Sequence, residues 1–323
     1  MKPKVWLDMK IVPAALARLE PAAEIIAAGT LDNLPGAAAA IMGVENQANG
    51  AFMDRAGLSL KVIARHGIGV NNVDISAATE RGILVVNTPD APTESTAEHA
   101  VALLLGAAKR VVAGDKSMRG TDIPRAQLMG TEVRGRVLGI IGCGRIGRRV
   151  GEICALGLKM RVLAYDPGCA DWVSVTAMGI APADSLDTLL AQADFVSLHA
   201  SLTPQNYHLI GERELRLMKR GAYLINASRG PLVDEAALAQ VLAEGHLAGA
   251  ALDVFDPEPP LSTNPLLQMT NVVLTPHISS FTDLGFMAMG MGAVEQVLQV
   301  LRGERPPNLL NPEVWPGRVA SRS

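Results

Sequence analysis

The chain has 323 residues and a mass of 34.0 kDa, about twice the usual length of a domain, so its length alone favours two domains. Hydrophobic residues make up 49% and charged residues 19%, which excludes a disordered or low-complexity protein. A net charge of −3 provides no basic field for a phosphodiester backbone, and 3% aromatic residues are too few for base stacking, so no nucleic-acid partner is expected.

Short β-branched runs alternate with amphipathic stretches along the chain, which predicts an α/β protein built of parallel βαβ units. In the first part the pattern predicts strands, with short helices between them, at residues 5–8, 24–28, 39–42, 61–65 and 83–87. Residues 93–113 show apolar positions at helical spacing over a longer run and predict a connecting helix. A loop containing Gly120 and Pro124 follows this helix.

A second series of elements begins at Val137. It contains six predicted strands, at residues 137–141, 161–165, 194–200, 222–227, 250–255 and 271–275. Residues 233–245 predict a helix that ends at Gly245. After residue 282, methionine, valine and leucine residues recur at helical spacing as far as Gly303, which predicts a helix that packs in a core.

Cysteine usage and the N-terminal sequence bear on the cellular compartment. Cys143, Cys154 and Cys169 lack the paired spacing of a disulfide framework or a zinc site, which predicts a reducing cytoplasm and no bound metal. Asp8 and Lys10 interrupt the segment where a signal peptide needs its apolar core, and no uncharged apolar run approaches the ~18 residues of a membrane span. We therefore expect neither export nor membrane insertion.

A G-x-G-x-x-G pattern, residues 142–147, lies between a predicted strand and a predicted helix. Gly142 permits a tight turn, Gly144 lets the backbone approach a pyrophosphate, and Gly147 lets the helix and strand pack closely. Asp166 ends the next strand, 19 residues past Gly147, where a carboxylate can accept hydrogen bonds from the adenosine ribose. Because this carboxylate would repel a 2′-phosphate, the pattern predicts NAD rather than NADP. The alternative is that Asp166 only caps the turn that follows it.

Three polar residues follow three consecutive strands of the second series: Arg229, Glu258 and His277. Ligands of such sheets bind beyond the carboxyl ends of the strands. A histidine can exchange a hydroxyl proton near neutral pH, a carboxylate can fix its tautomer, and a guanidinium can bind a carboxylate through two hydrogen bonds. Taken singly, a residue of each kind is more often a surface charge or a structural side chain than a functional one.

Seven sequence blocks, spread over nearly the whole chain, match the blocks of one known family in sequence and in order. They read LGIIGCGRIG, LINASRGPLVDEAAL, GAALDVFDPEPP and NVVLTPH in the second part, and RHGIGVNNVD, ILVVNTP and NLLNPEVW in the first part and the tail. Together they resemble the D-isomer-specific 2-hydroxyacid dehydrogenases.

This resemblance implies two doubly wound domains. A Rossmann NAD-binding domain at residues 95–282 would be inserted into a smaller flavodoxin-like substrate-binding domain, at residues 1–94 and 283–323, with a cleft between them and a homodimeric assembly. It also implies that Arg229 binds the substrate carboxylate and carbonyl, that His277 is the acid/base and that Glu258 supports its imidazole. Ile68 and Gly69 would offer backbone N–H groups to the substrate. The residues implied to contact NAD are Thr96, Gly142, Gly144, Arg145, Ile146, Gly147, Asp166, Ala227 and Asp253, the last at the nicotinamide amide.

The chain departs from the family pattern at three places that concern the substrate. Asn71 replaces the usual aspartate of the substrate loop, and Ser279-Ser280 replaces glycines after the histidine. Phosphoglycerate dehydrogenases carry Arg-Ser where this chain has Val44-Glu45, and an acid there would repel a phosphate.

The leading hypothesis is therefore an NAD-dependent oxidoreductase that interconverts a small 2-keto acid, such as glyoxylate or hydroxypyruvate, and the D-2-hydroxy acid. One alternative is a D-3-phosphoglycerate dehydrogenase of serine biosynthesis. Another is an NADH-sensing interaction protein, because the C-terminal-binding-protein corepressors resemble the same family and retain the Arg, Glu and His set.

Overall fold

The computed structural model describes residues 1–26 and 30–316, and the chain divides into two compact units. The first unit runs from Met1 to Thr93 and resumes at Phe281, and the second unit is Glu94–Ser280. The first predicted boundary, after residue 94, lies one residue beyond the observed one, and the second, after residue 282, lies two residues beyond it. Residues 317–323 of the predicted first domain lie outside the described residues.

Strands and helices alternate through both units. The described strands are β1 Lys4–Leu7, β2 Glu24–Ile26, β3 Ala39–Met42, β4 Val62–Arg65, β5 Leu84–Val86, β6 Val137–Ile141, β7 Arg161–Tyr165, β8 Ile180–Pro182, β9 Phe195–Leu198, β10 Tyr223–Asn226, β11 Gly249–Leu252 and β12 Val272–Leu274. The described α-helices are α1 Pro13–Leu19, α2 Gly50–Ala56, α3 Ile75–Glu80, α4 Thr93–Ala108, α5 Val111–Met118, α6 Arg145–Glu152, α7 Trp172–Ala177, α8 Leu186–Gln192, α9 Glu212–Leu217, α10 Glu235–Ala243 and α11 Asp283–Arg302. A π-helical turn, Ile153–Gly157, continues α6.

The first unit contains a parallel sheet with the order β2-β1-β3-β4-β5. This is the flavodoxin-like order, so the predicted fold of this part is confirmed. Every residue of β3 and β4 is buried, as expected when helices cover both faces of a parallel sheet. The predicted second strand is described from Glu24 to Ile26, and its residues 27 and 28 lie outside the described residues.

Helix α11 confirms the prediction for the stretch after residue 282. It begins at the N-cap Thr282, whose hydroxyl accepts a hydrogen bond from the N–H of Gly285, and ends where Gly303 adopts a left-handed φ of +81°. By length and composition α11 could cross a membrane, but half of its apolar window is buried within the unit, where the helix contacts α1, β3 and β4. It is a core helix of the first unit.

In the described part of the second unit, seven parallel strands form a sheet with the order β12-β11-β10-β9-β6-β7-β8. The prediction of six strands was wrong by one, because β8 was missed. From β6 the sheet grows in two directions, through β7 and β8 on one side and through β9 to β12 on the other, so the strand order reverses at β6. This is the Rossmann arrangement. Alternate residues of β10 enter cores on opposite faces: Leu224 joins one cluster, and Tyr223 and Ile225 join the other.

The predicted helix over residues 93–113 is also corrected. It ends at Ala108 and restarts as α5 after Arg110, which adopts a left-handed φ of +57°. The carbonyl of Ala108 accepts a hydrogen bond from the N–H of Thr131 at 2.7 Å, so it does not continue the helical ladder. A contact from a distant loop therefore ends α4.

Candidate active site

The glycine-rich turn links β6 to α6 at the carboxyl edge of the second sheet. Gly142 has a φ of +92°, and a Cβ there would lie 2.6 Å from the backbone nitrogen of Ala200. A Cβ on Gly147 would lie 2.1 Å from the carbonyl oxygen of Gly142. By contrast, a Cβ on Gly144, the N-cap of α6, would meet none of the described atoms within 4 Å. Protein atoms therefore fill the space beside Gly142 and Gly147, whereas the space beside Gly144 is open. This open space at the N-terminus of α6 fits a pyrophosphate.

Asp166 lies beside this turn, directly after β7. Its Oδ2 accepts a hydrogen bond from the N–H of Cys143 at 2.8 Å, and its Oδ1 accepts one from the N–H of Gly168 at 2.8 Å. The side chain is half-buried. A carboxylate has more acceptor sites than these two bonds use, so Asp166 can cap its turn and still accept a ribose hydroxyl.

The remaining residues expected near NAD lie in the same unit. Thr96 on α4 and Ala227 after β10 are buried, Ile146 is half-buried and Arg145 is exposed on the first turn of α6. Cys143, Ala227 and Ala97 belong to one core cluster, so α4 and the ends of β6 and β10 contribute to the same core.

Arg229 is held by a turn that follows β10. The side chain of the buried Asn226 accepts a hydrogen bond from the N–H of Ser228 at 3.0 Å and donates one to the carbonyl of Arg229 at 2.9 Å. A Cβ on Gly230 would lie 1.9 Å from the carbonyl oxygen of Phe255, so the turn packs directly on the loop after β11. Burial lowers the pKa of Arg229, while the negative charge of Glu258 acts in the opposite direction. Arg229 is a partly desolvated cation within electrostatic reach of Glu258.

His277 and Glu258 form a pair at the ends of β11 and β12. The Nδ1 of His277 lies 3.0 Å from Oε2 of Glu258, and both side chains are partly exposed. With Nδ1 bound to the carboxylate, Nε2 is the ring nitrogen left for proton exchange with a ligand.

The backbone of His277 adopts a left-handed φ of +53°, which is strained for a residue with a side chain. Its N–H donates to the carbonyl of Asp253 at 2.8 Å. The carboxylate of Asp253 is fully buried and accepts hydrogen bonds from the N–H groups of Ile278 and Ser279, each at 2.9 Å. Asp253 therefore anchors the loop of His277, a task that the sequence had not indicated.

The register of three adjacent strands brings Arg229, Glu258 and His277 to one edge. Asn226 at the end of β10 pairs with Leu252 of β11, which pairs with Leu274 of β12. Because these strands are parallel, the residues that follow them emerge on the same side. Within residues 1–26 and 30–316, no group of three or more His, Cys, Asp or Glu side chains is arranged to hold a metal ion.

Ile68 and Gly69 lie in the first unit, in the loop after β4. Gly67 has a φ of +132°, and its N–H donates to the hydroxyl of Thr88 at 2.9 Å. The side-chain amide of Asn87 donates to the carbonyl of Ile68 at 2.8 Å. Residues after β5 thus fix this loop, and Ile68 and Gly69 are half-buried.

The loop that carries Val44 and Glu45 is also anchored within the first unit. The buried carboxylate of Asp8 accepts hydrogen bonds from the N–H of Gly43 at 2.9 Å and from the side chain of Asn46 at 2.6 Å. Asn72 donates from its side chain to the carbonyls of Gly43 and Asn46, both at 2.9 Å. The ends of the loop are held, and Val44 and Glu45 are exposed between them.

A family model for the NAD-binding domain of D-isomer specific 2-hydroxyacid dehydrogenases matches residues 101–279, more than half of the chain. The chain belongs to the D-isomer specific 2-hydroxyacid dehydrogenase family. This membership confirms the resemblance seen in the sequence, and NAD is the cofactor of the matched domain.

Two individual relatives in the dehydrogenase family are similar to this chain over most of its length. The chain is 39% identical to a glyoxylate reductase of Korarchaeum cryptofilum over 97% of both chains. It is 43% identical to a D-3-phosphoglycerate dehydrogenase of Archaeoglobus fulgidus over 81% of this chain, and it spans about half (49%) of the length of that relative.

Solved structures of similar proteins cover nearly the full length. A protein of Thermus thermophilus is 40% identical, with a TM-score of 0.87 and 95% of this chain and 99% of that chain covered. The holo form of a D-mandelate dehydrogenase of Rhodotorula graminis is 28% identical, with a TM-score of 0.86 and 95% and 97% of the two chains covered.

Proposed function

We propose that this chain is an NAD-dependent dehydrogenase that interconverts a small, unphosphorylated 2-keto acid of the glyoxylate or hydroxypyruvate kind and the D-2-hydroxy acid. The observation that carries the proposal is the His277–Glu258 pair, at 3.0 Å, on the sheet edge that also holds Arg229 and the glycine-rich turn. Hydride transfer at an alcohol carbon requires a group that exchanges the hydroxyl proton, and this pair supplies one.

The cofactor, when bound, supplies the hydride for reduction of the keto acid and accepts it in the oxidation. The open space at Gly144 and the N-terminus of α6 would receive the pyrophosphate, and Asp166 would accept hydrogen bonds from the adenosine ribose. The residues proposed to contact NAD are Thr96, Gly142, Gly144, Arg145, Ile146, Gly147, Asp166, Ala227 and Asp253. In this structure Asp253 also anchors the His277 loop.

Arg229, His277 and Glu258 are the proposed catalytic residues. The guanidinium of Arg229 binds the substrate carboxylate through two hydrogen bonds and polarises the neighbouring carbonyl. The Nε2 of His277 donates a proton to the carbonyl oxygen during reduction and takes it back during oxidation. Glu258 fixes the tautomer of His277 and stabilises its imidazolium form.

Two loops of the first unit favour one class of substrate. Backbone N–H groups of Ile68 and Gly69, in a loop fixed by Asn87 and Thr88, would bind the substrate. Glu45 is exposed in a loop whose two ends are anchored, and its negative charge would repel a phosphorylated substrate. An unphosphorylated keto acid is therefore favoured.

A second candidate, D-3-phosphoglycerate dehydrogenase, is favoured by the 43% identity to the Archaeoglobus fulgidus relative. The deciding experiment follows NADH oxidation by absorbance with glyoxylate, hydroxypyruvate, pyruvate, a branched keto acid and phosphohydroxypyruvate. We expect the highest kcat/KM with an unphosphorylated acid. Preference for phosphohydroxypyruvate would establish the second candidate, and NADH binding without turnover of any acid would contradict both.

The double variant V44R/E45S tests the charge argument within the same assay. It places a cation at position 44 and removes the anion at position 45, so kcat/KM for phosphohydroxypyruvate should rise relative to glyoxylate. The matched control is E24Q, which removes an exposed acid from β2. An unchanged ratio in V44R/E45S would remove Glu45 from the specificity argument.

We also propose a homodimer located in the cytoplasm. Val111, Val112, Met118 and Met129 are exposed apolar residues in one short stretch of the second unit, and a cavity of about 320 Å³ opens beside α5. Exposed apolar residues that form one patch mark a surface that another protein covers, and we propose that these four residues belong to such a surface. The three cysteines are unpaired, which fits a reducing compartment. Light scattering of the purified protein tests the dimer, and M118E should shift the mass toward a monomer.

A further inference from the structure

His99 on α4 contacts the loop that carries His277, although neither the sequence pattern nor the proposed mechanism uses it. Its Nε2 lies 3.1 Å from the hydroxyl of Thr275 and 3.4 Å from Oδ1 of Asp253. The side chain of His99 is one-fifth exposed, and that of Asp253 is fully buried. Thr275 lies two residues before His277, directly after β12.

The direction of these hydrogen bonds follows from the donors available. Burial alone would raise the pKa of Asp253, but hydrogen bonds, first from His99 and Thr275 and then from two backbone N–H groups, hold it below its ordinary value. The carboxylate is therefore ionised and only accepts. The hydroxyl of Thr275 lies 2.6 Å from Oδ1 of Asp253 and donates its one proton there. His99 is then the donor, and its Nε2–H faces two acceptors, the oxygen of Thr275 at 3.1 Å and Oδ1 of Asp253 at 3.4 Å.

The hydrogen bonds from His99 and Thr275 lead to the carboxylate of Asp253, which restrains the backbone around His277. The carboxylate of Asp253 accepts the N–H groups of Ile278 and Ser279, and the left-handed conformation of His277 lies between these contacts and Thr275. A conformation that costs free energy persists only where its surroundings hold it. Removing the His99 donor leaves the oxygen of Thr275 with one fewer partner in a part-buried site, which weakens the restraint.

We propose that His99 is a positioning residue for His277: through Thr275 and Asp253 it fixes the loop that presents the imidazole to Glu258. The proposal rests on the proposed function for its consequence in catalysis. The restraint of the His277 loop itself does not depend on whether the protein turns over a substrate. A merely structural histidine would contribute to folding without a selective effect on the His277 loop.

The variants H99Q and H99L separate the donor from the bulk of the side chain. The amide nitrogen of glutamine can occupy the place of Nε2 and donate to Thr275, whereas leucine cannot. For reduction of the best keto acid, H99L should lose about tenfold in kcat with KM for NADH changed less than about twofold, and H99Q should recover most of the loss. Equal effects of the two substitutions, or a kcat of H99L within twofold of wild type, would overturn the proposal.

The matched control is His246, which is also partly buried and bonded through Nε2, at 3.0 Å from the carbonyl of Met218. It precedes β11 and so lies at the amino edge of the sheet, away from the loops after the strands. H246Q and H246L should leave kcat unchanged. A fall in H246L as large as that in H99L would mean that the loss of any such histidine reduces kcat, which contradicts a specific role for His99.

A second test combines H99L with T275V. If His99 acts through Thr275, the double variant should be no slower than T275V alone, because both changes break one chain of hydrogen bonds. Multiplication of the two separate losses would contradict this route.

Backbone hydrogen exchange supplies a readout that needs no substrate. In H99L the amides of Ile278 and Ser279 should exchange about tenfold faster than in wild type, and in H99Q and H246L they should not. Unchanged exchange in H99L overturns the positioning role. Failure of the wild-type protein to reduce any keto acid would instead overturn the proposed function, and the exchange rates would still decide the role of His99.

Discussion

The imidazole of His277 and the carboxylate of Glu258 meet at 3.0 Å although 18 residues separate them in the chain. Each follows one of two paired parallel strands, β11 and β12, and the N–H of His277 is tied to the carbonyl of Asp253 at the end of β11. The strand pairing therefore determines the approach of the two side chains. It leaves Nε2 of His277 as the ring nitrogen that is not bound to Glu258.

Replacing Glu258 with glutamine should lower kcat for the reduction by about tenfold or more, with little change in the KM for NADH. Glutamine can keep one hydrogen bond to Nδ1 of His277, but it removes the negative charge that faces the ring while Nε2 exchanges a proton. Steady-state rates at one fixed pH measure the loss, with E244Q, at an exposed glutamate of the same unit, as the control. A kcat equal to that of wild type would mean that Glu258 does not act on His277.

The variant R229K should lower kcat/KM by about 10²- to 10³-fold. Lysine keeps the positive charge but cannot make two parallel hydrogen bonds to a carboxylate. Binding of NADH, followed by fluorescence, should change little, and R220K, at an exposed arginine, should behave as wild type. Near-normal turnover by R229K would show that charge alone is enough at this position.

The variant D166N should reduce the preference for NADH over NADPH by at least about tenfold, because the amide no longer repels a 2′-phosphate. One side-chain oxygen remains to accept a backbone hydrogen bond, so the turn next to Cys143 and Gly168 keeps part of its cap. The measurement is the ratio of kcat/KM for the two cofactors. If this ratio stays constant, Asp166 is only a cap.

His66 should make the protein sensitive to mild acid. Burial first, and the charge of Arg65 second, lower the pKa of His66 from 6.5 to about 4. Because the folded pKa lies below the unfolded one, the unfolded chain binds more protons between these values. The stability from neutral His66 is thus complete above pH 6.5 and is lost as the pH falls toward about 4.

The variant H66F keeps a ring against Phe286, whose centroid lies 4.6 Å from that of His66, and removes this titration. Between pH 6.5 and about 4, its free energy of unfolding should fall less steeply than that of wild type, by about 1.4 kcal/mol per pH unit. Urea titrations across this range measure the difference, and above pH 7.5 the two curves should run parallel. Equal slopes throughout would contradict a neutral buried His66.

Local patterns predicted most of the elements. Strands such as β6 and β10 are buried at every position, so their sequences are continuous apolar runs bounded by polar or glycine residues. The strand β8 has three residues, two of them exposed, and ends in Pro182 at the edge of the sheet. A strand this short has no periodicity to detect, and its pairing with β7 is what makes it a strand.

Local patterns did not predict the break between α4 and α5. The sequence across residues 105–112 contains no proline, and its apolar spacing continues, so a single helix is the natural prediction. In the folded chain Thr131 donates to the carbonyl of Ala108, and Arg110 donates to the carbonyl of Ala248 at 3.4 Å. Both partners are distant in sequence, and no local pattern reports them.

The sequence by itself determined the α/β class and the glycine-rich turn with Asp166, and it singled out Arg229, Glu258 and His277 as the residues now proposed for catalysis, because each inference depends on residue type at a short, regular spacing. The tertiary structure alone decided which side chains hold these groups. Asn226 clamps the turn of Arg229, and Asp253 restrains the loop of His277 with Thr275 and His99 beside it. A hydrogen bond depends on the position of both partners, and these partners come together only when the parallel strands align.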